Sequence, residues 1–83
     1  MDTATGVGYV AGTMTVLAFV PQVWKTWRSR SAADVSLSMY LIFAFGVFLW
    51  IVYGLVIHSI PVVAANAATF ILACTMIVFK GLF

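Results

Sequence analysis

The chain has 83 residues, 65% of them hydrophobic and only 7% charged, with a formal net charge of +2. So little polar surface excludes a water-solvated globular protein, and the length allows one domain, taken here as residues 1–83. The basic residues fall at the ends of apolar stretches and form no basic helix or groove, which argues against a nucleic-acid partner.

Three stretches carry no charged side chain: residues 3–24, 35–57 and 59–79. Each is about 21 to 23 residues long and, at ~1.5 Å rise per residue, spans roughly 30 Å of hydrocarbon. Three strands cannot close a barrel, so the expected fold is all-α, a bundle of three membrane-spanning helices in the lipid bilayer. Met1-Asp2 lacks a basic n-region and the first stretch exceeds an h-region, so no cleaved leader is expected.

In the first span Gly8 and Gly12 share a face on which another backbone can approach closely. Pro21 cannot donate to the Leu17 carbonyl, which predicts a kink or an end to the helix one turn before Trp24. Trp24 and Trp27 read as interfacial anchors, and the polar run from Trp24 to Ser31 as a cytoplasmic loop. Asp34, Ser36 and Ser38 suit capping of the second span. Along it Met39, Phe43, Gly46, Trp50, Tyr53 and Ile57 recur at helical spacing as one stripe. The turn around His58 is short, which makes spans two and three antiparallel neighbours, and Pro61 opens the alanine-rich third span.

Lys25, Arg28 and Arg30 lie in the first connection and Lys80 follows the third span, so all four basic residues share a side. The positive-inside rule therefore predicts the N-terminus outside and the C-terminus in the cytoplasm.

The spans contain no Asp, Glu, Lys or Arg, so no nucleophile–base or carboxylate pair can assemble there and an enzyme is not expected. Proton-driven pumping would need such a group too. Cys74 is alone, which leaves no intrachain disulfide or metal cluster and reads as a small buried hydrophobe. Neither cofactor nor metal is expected.

Asn66 is the polar side chain most in need of a partner, and interhelical glue or ligand contact would each satisfy it. Trp50 lies roughly 12 Å below the outer end of the second span, and Asn66 roughly 10 Å into the third, so antiparallel helices bring them to one level. That indole is deeper than an aromatic belt. A flat ring beside an amide suits a sugar, whose C–H faces pack on rings and whose hydroxyls need donors and acceptors. Tyr53, one turn outward, suits an outer belt or an outer gate. Met39 and Phe43, further inward, suit core packing or closure from the cytoplasmic side. Three helices cannot surround a sugar, so a transporter would require two copies that face Trp50 and Asn66 of each across one cavity.

The residues Pro21-Gln22, Ser36-Leu37-Ser38-Met39-Tyr40, Gly46-Val47-Phe48-Leu49-Trp50, Tyr53-Gly54 and Ala65-Asn66 together resemble the bacterial SemiSWEET sugar transporters of the PQ-loop superfamily. The resemblance covers essentially the whole chain. It implies a parallel homodimer in the bacterial inner membrane that moves a mono- or disaccharide down its gradient by alternating access. It also implies substrate held by Trp50 and Asn66, a hinge at Pro21 and Gln22, an inner gate of Met39 and Phe43, and Tyr53 in the outer gate. Relatives often carry an Arg and an Asp just after that tyrosine, where Ile57, His58 and Ser59 stand here. The outer gate is therefore expected to rest on Tyr53 and His58, or on packing alone. The competing expectations are a proton-coupled amino-acid carrier and a non-transporting structural membrane subunit.

Overall fold

The computed structural model describes residues 3–33 and 35–83. Three helices make up the fold: α1 (Thr3–Ser29), α2 (Leu37–Val56) and α3 (Ile60–Leu82). Each is long and apolar enough to cross a membrane, with mean hydropathy of 1.4, 2.3 and 2.2 over its most apolar window. Large side chains such as Ile42, Val56 and Ile60 are at least 70% exposed, which water would penalise and lipid would not. This is an integral membrane protein.

The first helix departs from the sequence expectation. It neither ends at Pro21 nor gives way to a loop at Trp24, but runs to Ser29. Proline removes one backbone hydrogen bond and crowds one carbonyl, a local fault that flanking helical turns can carry in an apolar setting. The helix stops at Arg30, which adopts a left-handed backbone (φ 55) and donates its N–H to the Thr26 carbonyl at 3.0 Å. Ser36 caps α2, its hydroxyl accepting from the Met39 N–H, and Ser59 caps α3 by accepting from Val62. Of the other expected caps, Ser38 lies within α2 and Asp34 lies outside the described residues.

α2 ends in a Schellman motif. The Ser59 N–H reaches the Gly54 carbonyl at 2.9 Å and the His58 N–H reaches that of Leu55 at 3.3 Å, with His58 left-handed at φ 56. That motif produces the tight α2–α3 reversal.

The layer order is α1, α3, α2. No Cα of α1 comes within 8 Å of one in α2, so α3 lies between them. The small residues explain the approach. A Cβ added at Gly8 would sit 3.2 Å from Pro61 Cβ, and one at Gly12 would sit 2.5 Å from Ala65 Cβ. Both contacts advance by four residues, so α1 and α3 run parallel. On the other side a Cβ at Gly54 would meet Val62 and Val63 side chains at 2.8 and 2.9 Å. The Cα trace measures 43 × 21 × 13 Å, a flattened bundle.

Large buried side chains gather at the basic end. Ala32, Val35, Tyr40, Ala44, Ala73, Met76 and Phe79 form the core, with Phe19, Val23 and Ile77 packed against it. Lys80 donates to the Ala32 carbonyl at 2.9 Å, and Trp27 packs on Phe79 and Phe83, which ties the end of α3 to the end of α1.

Candidate functional site

The Gly54–Val62 contact sets the register of α2 against α3. One turn inward on each antiparallel helix lie Trp50 and Asn66, which therefore share a level, as the sequence predicts. Asn66 is four residues on from Val62 and so lies on the face of α3 turned toward α2, with Thr69 and Ala73 buried on the next turns. The adjacent face, through Ala65, meets α1.

Asn66 is half-buried, and its Nδ2 donates to the Val62 carbonyl of its own helix at 2.9 Å. Among the described residues of this chain the amide makes no bond to another helix. Its Oδ1 and its second N–H remain for another partner.

Trp50 is 54% exposed and stands edge-on to Tyr53, ring centroids 5.4 Å apart. With Gly46 and Leu49 these two rings wall an open groove of 390 Å³ on α2. Asn66 is not among its walls, so one chain sets the indole and the amide at a common depth without joining them in one pocket. Most of the α2 stripe faces no other helix: Met39, Trp50, Tyr53 and Ile57 are exposed and Gly46 is half-buried with open space around it, while Phe43 packs against α1.

At the basic end the arrangement changes. Phe43 stacks on Phe19 of α1 at 5.7 Å with an interplanar angle of 17°, and Tyr40 meets both rings edge-on. The Tyr40 hydroxyl donates to Gln22 Oε1 at 2.7 Å. Gln22, on the turn that holds Pro21, is thereby bonded to α2. Met39 stays exposed and outside this cluster.

Sequence reasoning did not single out Phe19 or Tyr40 as members of such a cluster. Tyr40 was visible in the Ser36–Tyr40 run, but its pairing with Gln22 depends on the α1–α2 geometry, which no spacing encodes. His58 holds the left-handed turn with its side chain exposed, and among the described residues no hydrogen bond or ring contact joins it to Tyr53. Cys74 is half-buried on α3. Among the described residues, no group of three or more His, Cys, Asp and Glu could hold a metal ion.

Fold and site together define a small membrane bundle in which an open face of α2 carries an indole, level with an amide on the neighbouring helix. The PQ loop repeat model matches residues 3–63. A protein of Bradyrhizobium diazoefficiens named Sugar transporter SemiSWEET is 42% identical over 89% of this chain and 86% of its own length. Among solved structures, a bacterial homologue of SWEET transporters superposes with a TM-score of 0.90 at 40% identity, covering 95% of each chain. A SemiSWEET in the inward-open conformation gives 0.86 at 39% identity, covering 96% of this chain and 86% of that one. The chain belongs to the PQ-loop family and, within it, to the SemiSWEETs. They are transporters, and the chain is not an enzyme.

Proposed function

We propose that this chain is a facilitative sugar transporter that works as a parallel homodimer in the bacterial inner membrane, with residues 1–83 as one three-helix unit. The observation that carries the reading is the open α2 face, where Trp50 stands exposed at the level of a half-satisfied Asn66. The name of the Bradyrhizobium relative supplies the substrate class. A slab 13 Å thick cannot enclose a sugar, whereas two slabs with these faces opposed would bury two indoles and two amides around one hollow at mid-membrane.

In this mechanism the Trp50 rings pack on the C–H faces of the sugar, and the free Asn66 Oδ1 and N–H groups bond its hydroxyls. Phe43, stacked on Phe19, closes the basic end, with Met39 covering the pathway beside it. Flexing of α1 at Pro21 carries Gln22 with it, so opening that end requires parting Gln22 from Tyr40. Tyr53, packed against Trp50, closes the opposite end, while His58 acts through the turn it forms. The N-terminus lies outside and the basic end faces the cytoplasm. With no residue charged at neutral pH inside the three spans, transport is downhill and independent of a proton gradient.

Proteoliposomes loaded with labelled glucose or sucrose test this. Efflux should appear with the purified chain alone and fall by at least about tenfold in Trp50→Ala or Asn66→Ala, because a sugar left with unpaired hydroxyls binds poorly. Uphill accumulation driven by an imposed pH gradient would contradict the uniport mechanism. Absence of any flux from a folded dimer would contradict the transport reading itself.

A further inference from the structure

A second cavity, of 310 Å³, opens at the basic end between the last turns of α1 and the connection to α2. Its walls are Gln22, Lys25, Thr26, Ser29, Ser31 and Val35. It differs in kind from the groove beside Trp50, because five of these six residues are polar. It exists because α1 continues two turns past Pro21 and Arg30 then folds the chain back through its left-handed backbone.

Gln22, Lys25 and Ser29 share one face of α1 at helical spacing; the Ser29 hydroxyl donates to the Thr26 carbonyl at 3.5 Å, which leaves Gln22 and Lys25 as that face's donors. Gln22 Oε1 is occupied by the Tyr40 hydroxyl, which leaves its two Nε2–H donors. Ser31 Oγ accepts from the Ala33 N–H at 3.5 Å and keeps its own hydrogen to give. Lys25 adds three donors and a full charge. Among the described residues none of the walls is a carboxylate, and the surrounding segment carries Lys25, Arg28 and Arg30 against Asp34.

We propose that this cavity binds a phosphate-bearing group, with Lys25 as its charge partner and Gln22 and Ser31 as its neutral donors. A tetrahedral anion accepts from several donors at once, and a basic recess at the polar end of membrane helices lies where anionic headgroups sit. The source is either a phospholipid headgroup or free phosphate. The site is separate from the sugar site and does not depend on transport.

The test uses purified protein in phosphatidylcholine nanodiscs, titrated with short-chain phosphatidylglycerol or with inorganic phosphate and followed by phosphorus NMR. Saturable binding is expected. It should weaken by about tenfold in Lys25→Gln and about fivefold in Ser31→Ala, since each removes a bond to a charged group. Ser38→Ala, a hydroxyl outside the cavity, should leave it unchanged. Binding of phosphatidylglycerol alone identifies a headgroup site, whereas binding of both ligands with the same variant pattern identifies the phosphate itself as the ligand. Two results would overturn the proposal: no saturable binding of either ligand, or losses that follow net charge alone, equal for Lys25→Gln and Arg28→Gln with Ser31→Ala silent.

Discussion

The two ends of this bundle are held together by opposite means. Toward His58, helices meet through missing side chains: Gly8 against Pro61, Gly12 against Ala65 and Gly54 against Val62 and Val63. Toward the basic residues they meet through large ones, with Met76 fully buried and Phe19, Tyr40 and Phe43 bridging α1 to α2. A glycine seam has one spacing and resists change, because each glycine's backbone sits against a short, stiff side chain of the neighbouring helix. A cluster of rings and one hydrogen bond can separate and re-form as side chains turn. In lipid this matters more than in water, since apolar burial between helices gains little and close packing must hold the bundle. The glycine end positions the level shared by Trp50 and Asn66; in the proposed mechanism the aromatic end is the one that moves.

The sharpest way to break this contrast is to fill the seam. Gly12→Leu places atoms where Ala65 already stands, so we expect a loss of at least about 3 kcal/mol and failure to recover folded protein in detergent. Gly81→Leu is the matched control: a Cβ there meets nothing, and the melting temperature should hold. Met76→Ala, at the other end, opens a cavity in the densest part of the core. It should lower stability by about 2 kcal/mol, the low end for such truncations because lipid offers no competing transfer gain. Tyr40→Phe keeps the ring and removes only the bond to Gln22. Thermal melting should show a loss of about 0.6 kcal/mol, and hydrogen exchange near Gln22 should quicken.

How much of this was legible in the chain follows the same division. The spans, the Ser36 cap and the α2–α3 reversal were readable, because hydrocarbon thickness, Ser36 and Pro61 each act locally; the Ser59 cap was not singled out. The Gly8–Gly12 approach was readable because spacing alone sets it, and so was the common level of Trp50 and Asn66. The continuation of α1 to Ser29 was not, because the edge of an apolar stretch marks where lipid ends, not where a helix must. Nor was the layer order, since the connection after α1 leads directly to α2 while α3 takes the place between them. The Asn66 bond to Val62 was hidden for a different reason: a side chain turning back on its own helix leaves no trace in the sequence.

A smaller prediction sharpens the outer turn. His58 holds a left-handed backbone that glycine adopts freely, so His58→Gly should raise stability by about 1 kcal/mol with the turn intact. If sugar efflux is unchanged in that variant, His58 serves the turn and not a gate.

The central claim is that a second copy completes the sugar site. Introduce Asn66→Cys in a Cys74→Ser background, reconstitute the protein in lipid, and add a short bifunctional thiol crosslinker with and without sugar, since a direct disulfide needs Cα atoms within about 7 Å. The account predicts a covalent dimer whose formation sugar slows. Monomers that stay uncrosslinked, while a cysteine at the exposed Ile71 joins readily, would contradict it.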